Sequence, residues 1–269
     1  MHEKFGLSTG IAYRHPIETV LQPIHDAGFR IIEIATAREH INLADTHRLR
    51  MLAHTTRDMG FTVPSLHAPF GHDVDITDPD PSFRQQSLAM LTRAADALQI
   101  FGGRLYVIHP GGEDHNWTWD RESRLARSIE GLTILHQRCR ERGLDLIVET
   151  PLPHLLGGQP DDLDRLLHLL PHEGTGVCID TSHTSLGGVL FEVMDRFASR
   201  LVHIQASDNR GHTDDHLPPG DGIIDWSKVQ SKLAAIGYQG IFLLELTGND
   251  NVGESVAYAA RRARETLSF

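Results

Sequence analysis

Six short apolar runs of this 269-residue sequence each carry, at or near their end, a side chain that can bind a metal or move a proton. They are His67 in SLHAPF, His109 in VIHPGG, Glu149 in LIVETP, Asp180 with His183 in VCIDTSH, His203 in LVHIQAS and Glu245 in FLLELTG. A carboxylate that follows an apolar run is costly to bury unless it is paired or bound to a cation. Carboxylate oxygen and imidazole nitrogen together suit zinc, manganese, cobalt or iron(II), whereas an all-oxygen set would suit magnesium or calcium. A divalent metal is therefore expected, with Glu149, Asp180, His203 and Glu245 as its core ligands and His67 and His109 as further ligands or substrate contacts. Each residue alone has a plainer reading. A strand-end glutamate is as readily a salt-bridge partner, and a lone histidine such as His203 a hydrogen-bonded core residue. Recurrence at equivalent places favours the metal.

The run SDNRGHTDDHLPPGDG is the most polar in the chain, and Asp214 and His216 lie two apart within it. In an extended segment both would face one side and, with His183, complete a further metal site. The same run also reads as a solvated turn of Asp, Gly and Pro. His72, His115 and His212 read as surface or loop histidines, and Trp117 and Trp119 as residues that stack on a sugar face or pack over a rim. Cys139 and Cys178 form no pair of metal-binding type and are expected to be reduced thiols.

Residues so far apart in sequence meet only if the fold gathers them. Apolar, β-branched runs at 5–13, 30–36, 62–68, 104–110, 145–151, 175–181, 201–207 and 240–246 alternate with segments of helical period, such as 82–100. That is the pattern of eight βα units and a parallel sheet. None of the runs alternates cleanly between apolar and polar, as expected of strands covered on both faces. No G-x-G-x-x-G follows the first strand, which argues against a doubly wound dinucleotide-binding sheet. The expected fold is a (β/α)8 TIM barrel, in one domain spanning 1–269. Its active site would lie on the face where the strands end, which is where the ionisable residues fall.

With 36 acidic and 25 basic residues the formal charge is −11, and no Lys/Arg-rich run offsets it, which disfavours a nucleic-acid partner. The first residues have neither a basic nor an apolar segment of leader type, and no stretch approaches the roughly 20 apolar residues needed to span a bilayer. A cytoplasmic protein without a membrane partner is expected, and a homo-oligomer is left open.

Taken in order, SLHAPF, VIHPGG, IVETP, CIDTSH, HIQASDN, D-D-H-x-x-P-G-x-G-x-I-D-W and LLELTG resemble the xylose-isomerase-like barrel superfamily over nearly the whole chain. That superfamily includes sugar and sugar-phosphate isomerases and epimerases, inosose dehydratases and endonuclease IV enzymes. Resemblance to the epimerase branch implies one divalent metal held by Glu149, Asp180, His203 and Glu245. It also implies the two glutamates as acid and base, with His183 touching a substrate oxygen. Resemblance to the endonuclease IV branch implies three zinc ions. The first would be held by His67, His109 and Glu149, the second by Glu149, Asp180, His203 and Glu245, and the third by His183, Asp214 and His216. All nine positions carry the required residue type. Two departures weigh against the nuclease: TPLPHLLGG follows where the repair enzymes have an Asn-Thr-Ala-Gly-like continuation, and no basic DNA-binding loop is evident. HLPPGDGIIDW is more similar to members that isomerise sugars. The expected function is a metal-dependent isomerase or epimerase of a small sugar, sugar phosphate or related polyol. The alternatives are an endonuclease IV-like phosphodiesterase and a keto-polyol dehydratase or lyase.

Overall fold

A computed structural model describes residues 4–113 and 120–267. Eight parallel strands close into a barrel in chain order: β1 (Phe5–Ser8), β2 (Ile31–Ile34), β3 (Thr62–His67), β4 (Leu105–Ile108), β5 (Asp145–Glu149), β6 (Thr175–Asp180), β7 (Leu201–Ala206) and β8 (Ile241–Leu244). β8 pairs back onto β1, with Phe5 opposite Phe242. The helices wrap the outside: α1 (Ile17–Asp26), α2 (Thr46–Asp58), α3 (Pro81–Phe101), α4 (Arg121–Glu141), α5 (Pro160–Leu169), α6 (Thr181–Leu186), α7 (Leu190–Arg196), α8 (Trp226–Ala235) and α9 (Val252–Thr266). The chain is thus a (β/α)8 barrel. All six residues of β6 are buried, which explains why no apolar/polar alternation is visible in that run.

Local chemistry sets the ends of these elements. α3 extends one residue beyond the expected 82–100 at each end. Asp80 accepts from the backbone N–H of Ser82 at 2.9 Å, Pro81 opens the first turn, and Gly102 closes the helix at φ 79°. The first strand is shorter than the expected 5–13, because the chain turns into a 3-10 segment over Thr9–Ala12. The Ser8 hydroxyl accepts from Gly10 N at 3.2 Å and so starts that turn.

The two faces of each strand then do different jobs. Outward residues meet the helices in the main core, among them Leu66, Ile108 and Ile179. Inward residues fill the barrel in layers: Val107, Ile147 and Cys178 form a small apolar cluster, and polar side chains of Glu33, Ser65, His203 and Gln205 meet beside it. The next inward positions, at the strand ends, carry His67, Glu149 and Asp180, while His109 and Glu245 follow β4 and β8 by one residue.

Candidate active site and metal centre

Glu149 is the centre of the mouth. It is 1 % exposed, and its Oε2 lies 2.8 Å from His67 Nε2 and 3.2 Å from His109 Nε2. Its other oxygen, Oε1, is 3.5 Å from His183 Nδ1 and has no hydrogen-bond partner among the described residues. Burial works against the charge on Glu149, but the imidazoles of His109 and His67 outweigh it and hold the carboxyl well below the usual range. Asp180 ends β6 and caps α6: its Oδ1 accepts from His183 N at 2.8 Å. That cap fixes the first turn of α6 and places the His183 ring beside Glu149.

The loop after β7 supplies the opposite wall. Asp208 and Leu217 pair in an antiparallel bridge, and the buried Asp208 carboxylate accepts from Gly220 N, Ile224 N and Trp226 Nε1. The loop is folded back over β8, so the backbone N–H of Thr247 donates to His216 O at 3.1 Å. His216 is the one non-glycine among the described residues with a positive φ, 46°. A positive φ is uncommon outside glycine, although histidine adopts it more often than most residues. Asp214 Oδ2 sits between His183 Nε2 at 3.1 Å and His216 Nε2 at 2.9 Å, while Ser182 Oγ donates to its Oδ1 at 2.7 Å.

Three histidines share a device. Nδ1 of His67 donates to Ala68 O, Nδ1 of His183 to Thr150 O and Nδ1 of His216 to Glu245 O, at 2.8, 2.9 and 3.0 Å. A carbonyl can only accept, so each ring must carry its proton on Nδ1. In each case Nε2 turns toward a carboxylate, the orientation in which imidazole binds a metal. His109 differs. Its Nδ1 is buried without a partner among the described residues, and its ring stacks on Phe70 with centroids 3.8 Å apart.

Four sets of donors lie within 4.8 Å of one another: His67, His109 and Glu149; Glu149, Asp180 and His183; Asp180, His216 and Glu245; and His183, Asp214 and His216. The sets share members, so they form one continuous cluster. The orphaned Glu149 Oε1, the Nε2-forward histidines and the mixed O/N donor set all fit a divalent cation of the zinc, manganese or cobalt kind. Burial pushes the Glu245 carboxyl up to about 8 and also raises Asp180. Burial opposes protonation of His67 and His216, yet the charges of Glu149 and Asp214 carry both to about 10. The cluster thus combines carboxylates that burial raises, Glu245 and Asp180, with imidazoles that keep their protons beside Glu149 and Asp214.

His203 is not brought into this cluster. β7 runs three residues beyond it, and the residue level with Asp180 is Gln205. His203 instead lies inside the barrel with its Nε2 3.1 Å from Glu33 Oε2 and 3.2 Å from Ser65 Oγ. Burial opposes the charge on Glu33, but the imidazole of His203 outweighs it and keeps the carboxyl below its usual range. The histidine that shares a donor set with both Asp180 and Glu245 is His216, from the loop. Replacing Glu33 with Ala strands His203 in the barrel and is expected to cost about 3–5 kcal/mol in a thermal or urea melt. The same change and His203→Gln should leave metal stoichiometry unchanged. Metal lost on His203→Gln would return that residue to the ligand set.

Some contributors escape sequence reading. Glu33 sits inside the run IIEI with nothing to mark it, and Thr150 acts through both its carbonyl, which accepts from His183 Nδ1, and its hydroxyl oxygen, which accepts from Asp180 N at 3.0 Å. Ser182 and Asp208 do lie within CIDTSH and HIQASDN, and a polar residue buried beside a ligand was the available signal. His72 is exposed near Glu113, and His212 is exposed in the β7 loop. Cys139 and Cys178 are buried free thiols, and burial raises the Cys139 thiol to about 12. His115, Trp117 and Trp119 lie outside the described residues. No helix among the described residues is long and apolar enough to cross a membrane.

Comparison with known proteins adds a lineage to this geometry. Over 248 residues the chain is 26 % identical to the D-psicose 3-epimerase of Ruminiclostridium cellulolyticum, covering 87 % of this chain and 78 % of that one. The crystal structure of a D-tagatose 3-epimerase-like protein superposes with a TM-score of 0.84 at 20 % identity, covering 97 % of both chains. The IOLI protein, whose crystal structure has a bound zinc atom, superposes with a TM-score of 0.80 at 17 % identity over 97 % of this chain and 95 % of that one. The family model described as xylose isomerase-like TIM barrel matches residues 21–266, and the chain belongs to that family.

Proposed function

We propose that this protein is a divalent-metal-dependent epimerase or isomerase of a small sugar, sugar phosphate or related polyol. The observation that carries this reading is the placement of two glutamates, Glu149 and Glu245, in one mouth. Each lies within 4.8 Å of Asp180 through its own set of donors. Glu149, Asp180, His216 and Glu245 would hold the ion. His67, His109, His183 and Asp214 would extend the set or contact substrate oxygens. A cation bound there supplies a Lewis acid for a carbonyl and its neighbouring hydroxyl. One glutamate takes the proton from the carbon beside the carbonyl and the other returns one to the planar intermediate, which inverts or moves the centre. Imidazoles with Nδ1 already committed to backbone carbonyls offer Nε2 to the substrate in a fixed direction. The epimerase named among the relatives acts on a ketohexose, which fits this chemistry.

The test uses metal-loaded protein with D-fructose, D-psicose and D-tagatose, and their 6-phosphates, in deuterium oxide. Deuterium should enter the carbon next to the carbonyl, and chelation should stop it. No incorporation with any of them, or full incorporation after metal removal, sinks the proposal.

A second reading has one observation behind it. The sets His67/His109/Glu149 and His183/Asp214/His216 have no member in common and flank the shared carboxylates, which suits up to three ions and the gripping of a phosphate. Three ions per chain together with strand cleavage at an abasic site in duplex DNA would favour a phosphodiesterase of endonuclease IV type. One ion and no cleavage favours the epimerase.

A further inference from the structure

The mouth does not end at the metal-binding cluster. A cavity of about 800 Å³ starts at His67 and Glu245 and runs sideways, between the loop that follows β2 and the segment that follows β3, to the flank of α3. That volume falls in the range of pockets that enclose ligands of drug size, roughly 300–1,000 Å³. Ile41, Leu43, Phe70, Val74 and Met90 line its length, and most of its wall is apolar. Phe70 stands at the junction, stacked on His109. Some polar atoms along the wall already have partners: Thr36 donates to His67 O, and Asn42 Oδ1 accepts from Ala44 N; Tyr13, Glu39 and Arg93 line it as well. Arg38 pairs with Asp73 at 2.8 Å, with both side chains largely exposed, and so ties the two loops together over the cavity.

A bare polyol that filled this space would set hydroxyls against hydrocarbon along the stretch lined by Ile41, Leu43, Phe70, Val74 and Met90, at a cost for each left unpaired. We infer that the substrate carries an apolar substituent of several carbons, an alkyl, aryl or acyl group attached to the sugar, and that this side arm holds it. The inference rests on the reading of the mouth as a sugar site. The Arg38–Asp73 pair is a surface ion pair of little intrinsic strength, so it can open for a bulky group and close behind it.

The experiment is titration calorimetry on metal-loaded protein with D-fructose and two series of its monoesters, 1-O-acyl and 6-O-acyl, from acetyl to octanoyl. Affinity should climb with chain length in one series, by up to about fourfold for each methylene that is fully buried. Leu43→Asp and Met90→Asp should flatten that climb, while metal content and the binding of free fructose stay as in the parent. Leu43→Ser and Met90→Gln repeat the test should a charged variant fail to fold. The inference is overturned if neither series shows a chain-length effect, or if the effect survives in all four variants. A chain-length effect without deuterium exchange into any ketose would leave the arm standing and remove the epimerase. Exchange into free fructose with no chain-length effect would do the reverse.

Discussion

Adding zinc, manganese or cobalt to the metal-stripped protein, at about a thousandfold excess over the dissociation constant, is expected to raise Tm by roughly 8–16 °C. A ligand that binds only the folded state contributes about 4 kcal/mol at that excess, and for a chain of this size each kcal/mol is worth roughly 2–4 °C. At one fixed metal concentration the shift should be larger at pH 8 than at pH 5, for two reasons that act together. Burial raises the folded-state pKa of Glu245 to about 8. Its contribution to stability is therefore complete below about 4.5, the unfolded value, and is lost as pH rises through 8, when a charge must be buried. A cation relieves that cost just where it is greatest. His67 and His216, carried to about 10 by Glu149 and Asp214 against the effect of burial, give stability that is complete below about 6.5 and is lost as pH rises through 10. They must give up that proton to bind metal, so affinity also grows with pH. Calorimetric melts with and without metal at the two pH values decide the matter. Identical Tm values in both states would mean that the cluster holds no metal.

Glu245→Gln is expected to slow deuterium exchange into the sugar by about 10²–10⁴-fold, the usual contribution of a positioned acid or base. The change keeps volume and one oxygen, so the barrel should survive. It removes the ability to accept or return a proton. Because Glu245 also belongs to the donor set with Asp180 and His216, the variant must be assayed at saturating metal, with the bound ion counted. Undiminished exchange in a fully loaded Glu245→Gln protein would remove this residue from the chemistry and leave Glu149 to act with another partner. A loss confined to metal content would assign it to binding alone.

Much of this was legible before any coordinates, and the reason is architectural. A parallel barrel puts chemistry at strand ends, and His67, Glu149 and Asp180 close apolar runs whose limits can be read directly. β7 defeats that reading. Between β6 and β7 the register shifts, with Val177 opposite Leu201 but Cys178 opposite His203. The extra residue sets His203 level with Cys178 and Gln205 level with Asp180. A slip of one residue reassigns every side chain on a strand, and composition carries no trace of it. The positive φ of His216 is equally hidden, since the backbone partners that hold it, Glu245 and Thr247, lie in the segment after β8 and not in the loop's own residues. The side cavity depends on how two loops pack against α3, a relation between segments rather than within any one.

Asp180 divides its labour between two oxygens. One is spent on the backbone N–H of His183, and the other accepts from Ser207 Oγ at 3.5 Å. The helix that carries His183 is therefore anchored by the carboxylate that belongs to its own donor set. Neither residue can drift without dragging the other, and the spacing between them is set by a capping turn rather than by the size of whatever arrives. A site built this way is a fixed gauge. A cation bound there would meet donors whose spacing is preset by the geometry of a helix start.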